Sequence, residues 1–126
     1  ESQKILTWTF DNVFCKGKVD NYIEGHAIVD LKTTKDVSYD GFSRAILYNY
    51  DYDRQAAWYI DGDGNELEFW WIAQEKEFPF VPAIYKASAE TINRGREKYT
   101  KLFYQYKELF IDKEFNKDEF ILQSEI

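Results

Sequence analysis

The sequence predicts an α/β (α+β) fold in which helices flank a mixed central β-sheet, and three observations support this class. The chain has 126 residues, 44% of them hydrophobic, which is enough for one domain with a sizeable core. Segments of strand composition and of helical spacing follow one another in the order β, β, β, α, α, β, β, α. No internal repeat, low-complexity tract or Pro/Ser-rich linker divides them. Elements in this order pack as helices on a sheet.

The first three elements are predicted to be short strands. Apolar, aromatic and threonine content indicates strands at residues 5–10, 13–23 and 26–34. Asp11-Asn12 is a turn signal after the first strand, and Glu24-Gly25 favours a hairpin between the second and the third. Gly17 indicates a bulge or a close approach of another segment.

Three helices and two strands are predicted in the rest of the chain. The helices cover residues 38–48, 52–60 and 89–110, and the strands cover 67–73 and 81–86. Ser38 and Ser88 have the side chain that N-caps prefer. The long third helix has an apolar stripe at helical spacing. The stripe consists of Ile92, Tyr99, Leu102, Phe103, Tyr106 and Phe110.

Residues 61–65, with the sequence DGDGN, resemble the start of a calcium-binding loop but are predicted to be a turn. An EF-hand loop needs glycine at its sixth position and glutamate at its twelfth. Those positions hold Glu66 and Ile72.

Charge and composition limit which cellular compartment and which binding partners are expected. The net charge of -7 argues weakly against nucleic-acid binding. Residues 1–60 are nearly neutral, however, with 7 basic and 9 acidic side chains. No apolar run approaches the roughly 20 residues of a transmembrane helix. No segment has the order of a signal peptide. The lone cysteine, Cys15, cannot form an internal disulfide, so a cytoplasmic setting is expected.

Several conspicuous side chains have ordinary structural interpretations. A small apolar role is expected for Cys15 and a surface position for His26, the only histidine. Core packing is the default for Trp70 and Trp71. The chain begins at Glu1 and contains no methionine, which suggests a fragment of something longer.

Two carboxylates and a lysine form the strongest candidate site. Asp20 is near the end of one hairpin strand, and Asp30 and Lys32 are near the end of the other. Side chains alternate along a strand, so Asp30 and Lys32 share a face. The hairpin can bring Asp20 beside them. Such oxygen ligands suit Mg²⁺, with Mn²⁺ as an alternative. The lysine can stabilise developing negative charge on a phosphate.

The pattern of motifs resembles the PD-(D/E)XK nucleases of the exonuclease VIII (RecE) type. The resemblance covers roughly residues 13–110. It rests on KGKVD at 16–20, IVDLKTT at 28–34 and YDRQAAWY at 52–59. WIAQEKE at 71–77 and RGR at 94–96 extend it. An acid, then DxK, then QxxxY after a helix is a specific combination.

The resemblance implies a restriction-endonuclease-like core and assigns roles to single residues. Asp20, Asp30 and the Leu31 carbonyl would bind the metal, and Lys32 would be the catalytic lysine. Gln55 and Tyr59 would form the QxxxY motif that positions DNA and the lysine. Neighbouring Arg54 is a candidate phosphate contact. For Lys35 and Arg44, a phosphate contact and a solvated surface role remain equally open.

The resemblance also implies an activity and partners. Such enzymes are metal-dependent deoxyribonucleases that digest one strand of double-stranded DNA from an end, in phage-type recombination. They often work beside a single-strand annealing protein, and some form oligomers. The family usually has a helical segment before the hairpin, and this chain is expected to be a single domain that lacks it. A catalytically defective DNA-end or protein-binding module and an interaction domain are the two alternatives.

Overall fold

The structure, a computed structural model, describes residues 3–111 as nine strands and helices with one π-helical turn. The strands are β1 (Lys4–Phe10), β2 (Val13–Val19), β3 (Asn21–Ile23), β4 (Ala27–Thr34), β5 (Glu68–Glu75) and β6 (Pro82–Lys86). The helices are α1 (Tyr39–Arg44), α2 (Tyr52–Asp63) and α3 (Ala89–Phe110). The π-helical turn, Ala45–Asn49, continues α1 directly. The predicted order of strands and helices is largely confirmed.

The strands form two sheets. β1 and β2 make an antiparallel ribbon, and the second sheet has the order β3-β4-β5-β6. In that sheet β4 and β5 are parallel and the two outer pairs are antiparallel, so the sheet is mixed. With helices packed on it, this architecture confirms the predicted fold class.

The core lies between one face of the larger sheet and the helices. Ile28, Phe69 and Trp71 on this face are each 1% exposed. Phe42 of α1 packs its ring against the Trp71 indole at a centroid distance of 6.4 Å. Ala56 of α2 is fully buried. Burying these large apolar side chains supplies the main driving force for the packing of the helices on the sheet.

The predicted single strand at residues 13–23 was wrong. It divides at Asp20 into β2, which pairs with β1, and β3, which pairs with β4. The alternation of buried and exposed side chains breaks there, because Asp20 and Asn21 are both exposed between buried Val19 and Tyr22. Gly17 makes no bulge, because its pairing with Leu6 is in continuous register.

The helical predictions need two corrections. Residues Asp61–Asp63 belong to α2, which ends at Gly64 with a positive φ of 80°, so the predicted turn at 61–65 is shorter. The stripe on α3 is only partly buried. Tyr99 and Phe103 are in the core, whereas Tyr106 is 54% exposed.

Most other single-residue predictions are confirmed, but core packing was wrong for Trp70. Ser38 and Ser88 cap α1 and α3, accepting from Gly41 N and Thr91 N. Cys15 and Trp71 are buried and His26 is exposed, while Trp70 is only partly buried. Among residues 3–111, no helix combines the length and the apolar character that a membrane crossing requires.

Candidate active site

Strand β4 brings Asp30 and Lys32 together at the border between core and solvent. Lys32 Nζ lies 2.9 Å from Asp30 Oδ2, and the two side chains are 19% and 13% exposed. Buried Ile28, two positions earlier, is on the same face of the strand. The face that carries the pair is therefore the one that the helices cover.

Burial is the main influence on the Asp30 carboxyl group. It raises the pKa of Asp30, Lys32 opposes the rise, and the negative charge of Asp20 adds to it. The net pKa is raised. Asp30 Oδ2 is buried, and within the described residues its contact with Lys32 lacks hydrogen-bond geometry. A buried carboxylate oxygen of this kind is stabilised by a bound cation.

Asp20 lies across the hairpin from Asp30. It is an exposed residue between β2 and β3. In the antiparallel register Asn21 pairs with Val29, so the preceding Asp20 comes opposite the following Asp30. The structure thus places the two predicted acids beside each other.

The main chain of β4 offers a further oxygen at the same place. Thr34 O accepts a 2.9 Å hydrogen bond from Lys76 N, on the β5 side of the strand. Carbonyl directions alternate along a strand, so the Leu31 carbonyl points to the opposite edge. The pairing of β3 with β4 begins at the Asn21–Val29 pair, and the preceding residue, Asp20, lies at the same edge of β4. The Leu31 carbonyl therefore points toward the edge where Asp20 lies.

Helix α2 closes the other side of Lys32. The Lys32 ammonium donates a 3.0 Å hydrogen bond to Gln55 Oε1 and lies 4.5 Å from the centroid of the Tyr52 ring. Tyr52 and Gln55 are three residues apart and so share a face of α2. A carboxylate, an amide and an aromatic ring hold the lysine in one position, facing the two acids.

The other two predicted residues on α2 lie outside this contact set. Tyr59 packs on β2, where a Cβ at Gly17 would lie 2.8 Å from its ring. The close approach predicted for Gly17 is therefore made by Tyr59. Arg54 is next to Gln55, with its Nη1 3.7 Å from Asp51 Oδ2.

A second ionic cluster anchors the start of α2, and sequence reasoning missed it. Asp53 is completely buried, and Lys98 of α3 lies 2.9 Å from its carboxylate oxygens. The same ammonium donates to Asp51 Oδ1 at 2.8 Å and to Leu47 O at 2.6 Å. The cluster thereby fixes the helix that carries Tyr52 and Gln55.

Two missed residues differ in how readily the sequence could have revealed them. Tyr52 stands three positions before Gln55, so helical spacing alone could have placed it on the face toward Lys32. The partner of Asp53 is 45 positions away on another helix, and no local pattern links the two.

A polar pocket lies beside Tyr52, at the carboxyl ends of β4 and β5. Its lining includes three basic side chains: Lys35, Arg44 and Lys76. Asp36 is the one acidic residue that lines it within the described chain, and Asp36 Oδ1 accepts from Ser38 N. The two residues left open as phosphate contacts or surface positions thus share one basic pocket.

The metal-ligating residues are few. Within residues 3–111, no group of three or more His, Cys, Asp or Glu side chains is arranged to hold a metal ion. Asp20 and Asp30 offer two carboxylates, and the buried Asp30 Oδ2 fits a hard divalent cation by donor type. Magnesium sites often consist of one or two carboxylates, with water and substrate phosphate as the remaining ligands.

Comparison with known proteins assigns the chain to a family. The whole chain matches 54% of a crystal structure from Eubacterium rectale named "Putative exonuclease", with a TM-score of 0.66 and 23% identity. This likeness shows a shared fold, and the chain spans about half the length of that protein. No curated protein matches significantly. Residues 1–118 match the model of the family described as a PDDEXK-like domain of unknown function (DUF3799). The chain therefore belongs to this family.

Proposed function

We propose that the chain is the core of a metal-dependent deoxyribonuclease that digests double-stranded DNA from an end. The observation that carries the proposal is the contact set of Lys32 with Asp30 and Gln55, opposite Asp20. It combines a cation site with a fixed ammonium on the covered face of a PDDEXK-like sheet. The exonuclease VIII (RecE) branch is the more specific assignment within this proposal, and it rests on the motif resemblance.

Asp20, Asp30 and the Leu31 carbonyl would hold the metal, Mg²⁺ or Mn²⁺. Bound there, the ion would lower the pKa of a coordinated water and offset charge on the phosphodiester. A further ligand is part of the proposal, because nucleases of the exonuclease VIII type, which the motifs resemble, usually supply one from a helical segment before the hairpin. The two carboxylates of this chain are sufficient for a weak site.

Lys32 supplies the fixed positive charge of the mechanism. Its ammonium is oriented by Asp30 and Gln55 and would donate to a phosphate oxygen as negative charge develops. Tyr52 restricts the lysine from the other side. Because the ammonium is already in place before DNA binds, little reorganisation is needed during the reaction.

The basic pocket gives the DNA backbone a place next to the site. Lys35, Arg44 and Lys76 lie there beside Tyr52, which contacts Lys32. Cations that replace counterions on phosphates supply most non-specific affinity for DNA. We propose that this pocket holds the backbone adjacent to the scissile phosphate. The net charge of -7 is compatible with that role because the basic side chains are concentrated locally.

The wider setting follows from the resemblance alone. We propose a cytoplasmic enzyme of phage-type recombination that works beside a single-strand annealing protein and forms a homo-oligomer. DNA ends are its proposed substrate.

Digestion of end-labelled linear duplex DNA tests the function. The wild-type chain is compared with Lys32→Ala in Mg²⁺ or Mn²⁺, and Lys101→Ala, an exposed α3 lysine, is the matched control. We expect metal-dependent shortening that falls about 10²- to 10³-fold in Lys32→Ala and is unchanged in Lys101→Ala. Binding of DNA ends without shortening by the wild type would instead support the defective binding module. The two-carboxylate site in the described chain is the observation that favours that second candidate.

A further inference from the structure

A groove runs from the candidate site along the second edge of β2, between that strand and helices α2 and α3. We call it the edge groove. Among the described residues β2 is hydrogen-bonded only to β1, so this edge is not covered by another strand. The residues of the edge groove that matter here are Phe14, Lys16, Arg54, Gln55, Trp58 and Tyr106. We propose that the edge groove binds an unpaired DNA strand by base stacking, an inference that rests on the proposed deoxyribonuclease function.

Exposed aromatic rings are the first argument. Phe14 is 70% exposed and Tyr106 is 54% exposed. Trp58 is half-buried, and edge-to-face contacts with Trp8 at 4.9 Å and Tyr99 at 5.2 Å fix its ring. These rings line one groove, and exposed apolar groups that are contiguous, unlike scattered single ones, mark interaction surfaces. Ring faces accept any base, which is how single-stranded nucleic acid is bound without sequence preference.

The charge of the edge groove is the second argument. The chain has 23 acidic side chains and 16 basic ones, yet the groove lining within residues 3–111 includes Lys16 and Arg54 and no acidic residue. The Arg54 guanidinium is only loosely paired, at 3.7 Å from Asp51. Cations beside aromatic rings are the combination that follows a phosphate backbone while its bases stack. An acidic or purely apolar peptide would use only part of this lining.

Continuity with the candidate site is the third argument. Gln55 lines the edge groove, and its Oε1 accepts the hydrogen bond from Lys32. A strand in the groove therefore ends one side chain away from the proposed reaction. The basic pocket begins on the other side of Lys32, at Tyr52. The two sites divide the substrate: the pocket holds backbone phosphates, and the groove holds bases that have left the duplex.

Binding of fluorescein-labelled (dT)12 in EDTA tests the groove without hydrolysis. Phe14→Ala should weaken binding about 5- to 100-fold, as expected for the loss of one stacked base. Phe14→Leu should weaken it nearly as much, because leucine keeps apolar area but has no ring face. The matched control is Tyr39→Ala, since Tyr39 is 72% exposed and lies on α1 outside the groove. It should bind within 2-fold of wild type.

Salt dependence gives a second readout. Lys16→Ala should lower the slope of log affinity against log salt concentration by about 0.7, the value for one single-strand phosphate. Equal affinity of wild type and Phe14→Ala, or no binding of (dT)12 by the wild type, would overturn the proposal.

The proposal and the nuclease function fail separately. Loss of duplex digestion in Lys32→Ala together with Phe14-independent (dT)12 binding keeps the nuclease and removes the groove. Phe14-dependent binding by a chain that digests no DNA keeps the groove and removes the nuclease.

Discussion

Two lysine–aspartate clusters flank helix α2, and they differ in the number of acceptors around the lysine and in their access to solvent. In the structural cluster, Lys98 donates to three oxygen acceptors, and Asp53 Oδ1 also accepts from Arg54 N at 2.9 Å. In the candidate site, Lys32 has Asp30 and Gln55 as partners and the Tyr52 ring beside it. Asp53 is wholly buried, whereas the site opens to solvent at Asp20.

The difference separates an ion pair that stabilises the fold from one that is available for a ligand. Asp53 is wholly buried with the Lys98 ammonium within 2.9 Å of both its carboxylate oxygens, so it is not accessible to a ligand. A partly buried carboxylate with a raised pKa and a second, exposed carboxylate beside it gains from a cation. Removing Lys98 should therefore mainly reduce stability, whereas removing Lys32 should mainly reduce activity.

The largest effect on stability should come from Lys98→Ala. Losing the ammonium leaves the Asp53 carboxylate buried without a counter-charge, which should cost about 3–5 kcal/mol of unfolding free energy. Urea denaturation followed by circular dichroism measures the loss. Lys101→Ala on the same helix should lie within about 0.5 kcal/mol of wild type. A Lys98→Ala protein as stable as wild type would contradict the stabilising role of the Lys98–Asp53 cluster.

Gly95→Ala should disturb the same helix crossing by a steric route. A Cβ at Gly95 would lie 2.0 Å from the Asp53 carbonyl oxygen, so the backbones of α2 and α3 must separate. Overpacking of this kind should cost about 1–3 kcal/mol or more. Thermal denaturation gives the measurement, with the exposed neighbour Glu97→Ala as control. A change smaller than that of the control would mean that the crossing is not close-packed.

Gln55→Ala should show the reverse pattern, with a large effect on activity and a small one on stability. The amide orients Lys32 and is only partly buried. Loss of a residue that orients a site side chain through a hydrogen bond typically lowers activity about 10- to 100-fold, while the unfolding free energy should fall by about 1 kcal/mol. Duplex digestion rates and urea denaturation are measured on the same protein. Equal relative losses of digestion rate and of unfolding free energy would contradict the proposed difference between the two clusters.

Asp61 should contribute a smaller, pH-dependent stabilisation of the α2–α3 contact. Burial acts to raise the pKa of Asp61, but hydrogen bonds from Arg96 and from Tyr99 outweigh it and lower the pKa. A lowered pKa means that the stabilisation is complete above the unfolded value near 4 and disappears as the pH falls through the folded value. Asp61→Asn should lose about 1 kcal/mol at pH 7.

Denaturation curves at pH 7 and near pH 3 check this expectation. The wild type should be less stable near pH 3 than at pH 7, and this decrease in stability should be smaller in Asp61→Asn. The same difference between wild type and variant at both pH values would contradict the assignment.

Local patterns predicted the elements of this fold because capping and side-chain alternation are local. The Ser38 and Ser88 caps and the apolar strands other than the one at 13–23 were predicted correctly for that reason. The extension of α2 depends instead on distant contacts. Gly62 leaves room for the Trp8 indole, which a Cβ would approach to 2.7 Å, and Asp61 is held by Arg96. The local sequence of residues 61–65 does not indicate either contact.

The candidate site was predictable in its parts on β4 and less so in its surroundings. The DxK spacing puts Asp30 and Lys32 on one face by geometry alone. The change of strand partner at Asp20 depends on which elements become neighbours. The exposed Tyr106 shows the same limit, since its helical spacing predicted burial but no described element covers it.

Binding of Mn²⁺ by the wild-type chain and by Asp30→Asn tests the central claim most directly. Electron paramagnetic resonance of free Mn²⁺ during a titration gives the affinity, and Asp40→Asn, on the exposed first turn of α1, is the control. We predict that the wild type and the control bind Mn²⁺ and that Asp30→Asn binds it at least 10-fold more weakly. Equal affinity in all three proteins, or no binding by the wild type, would contradict it.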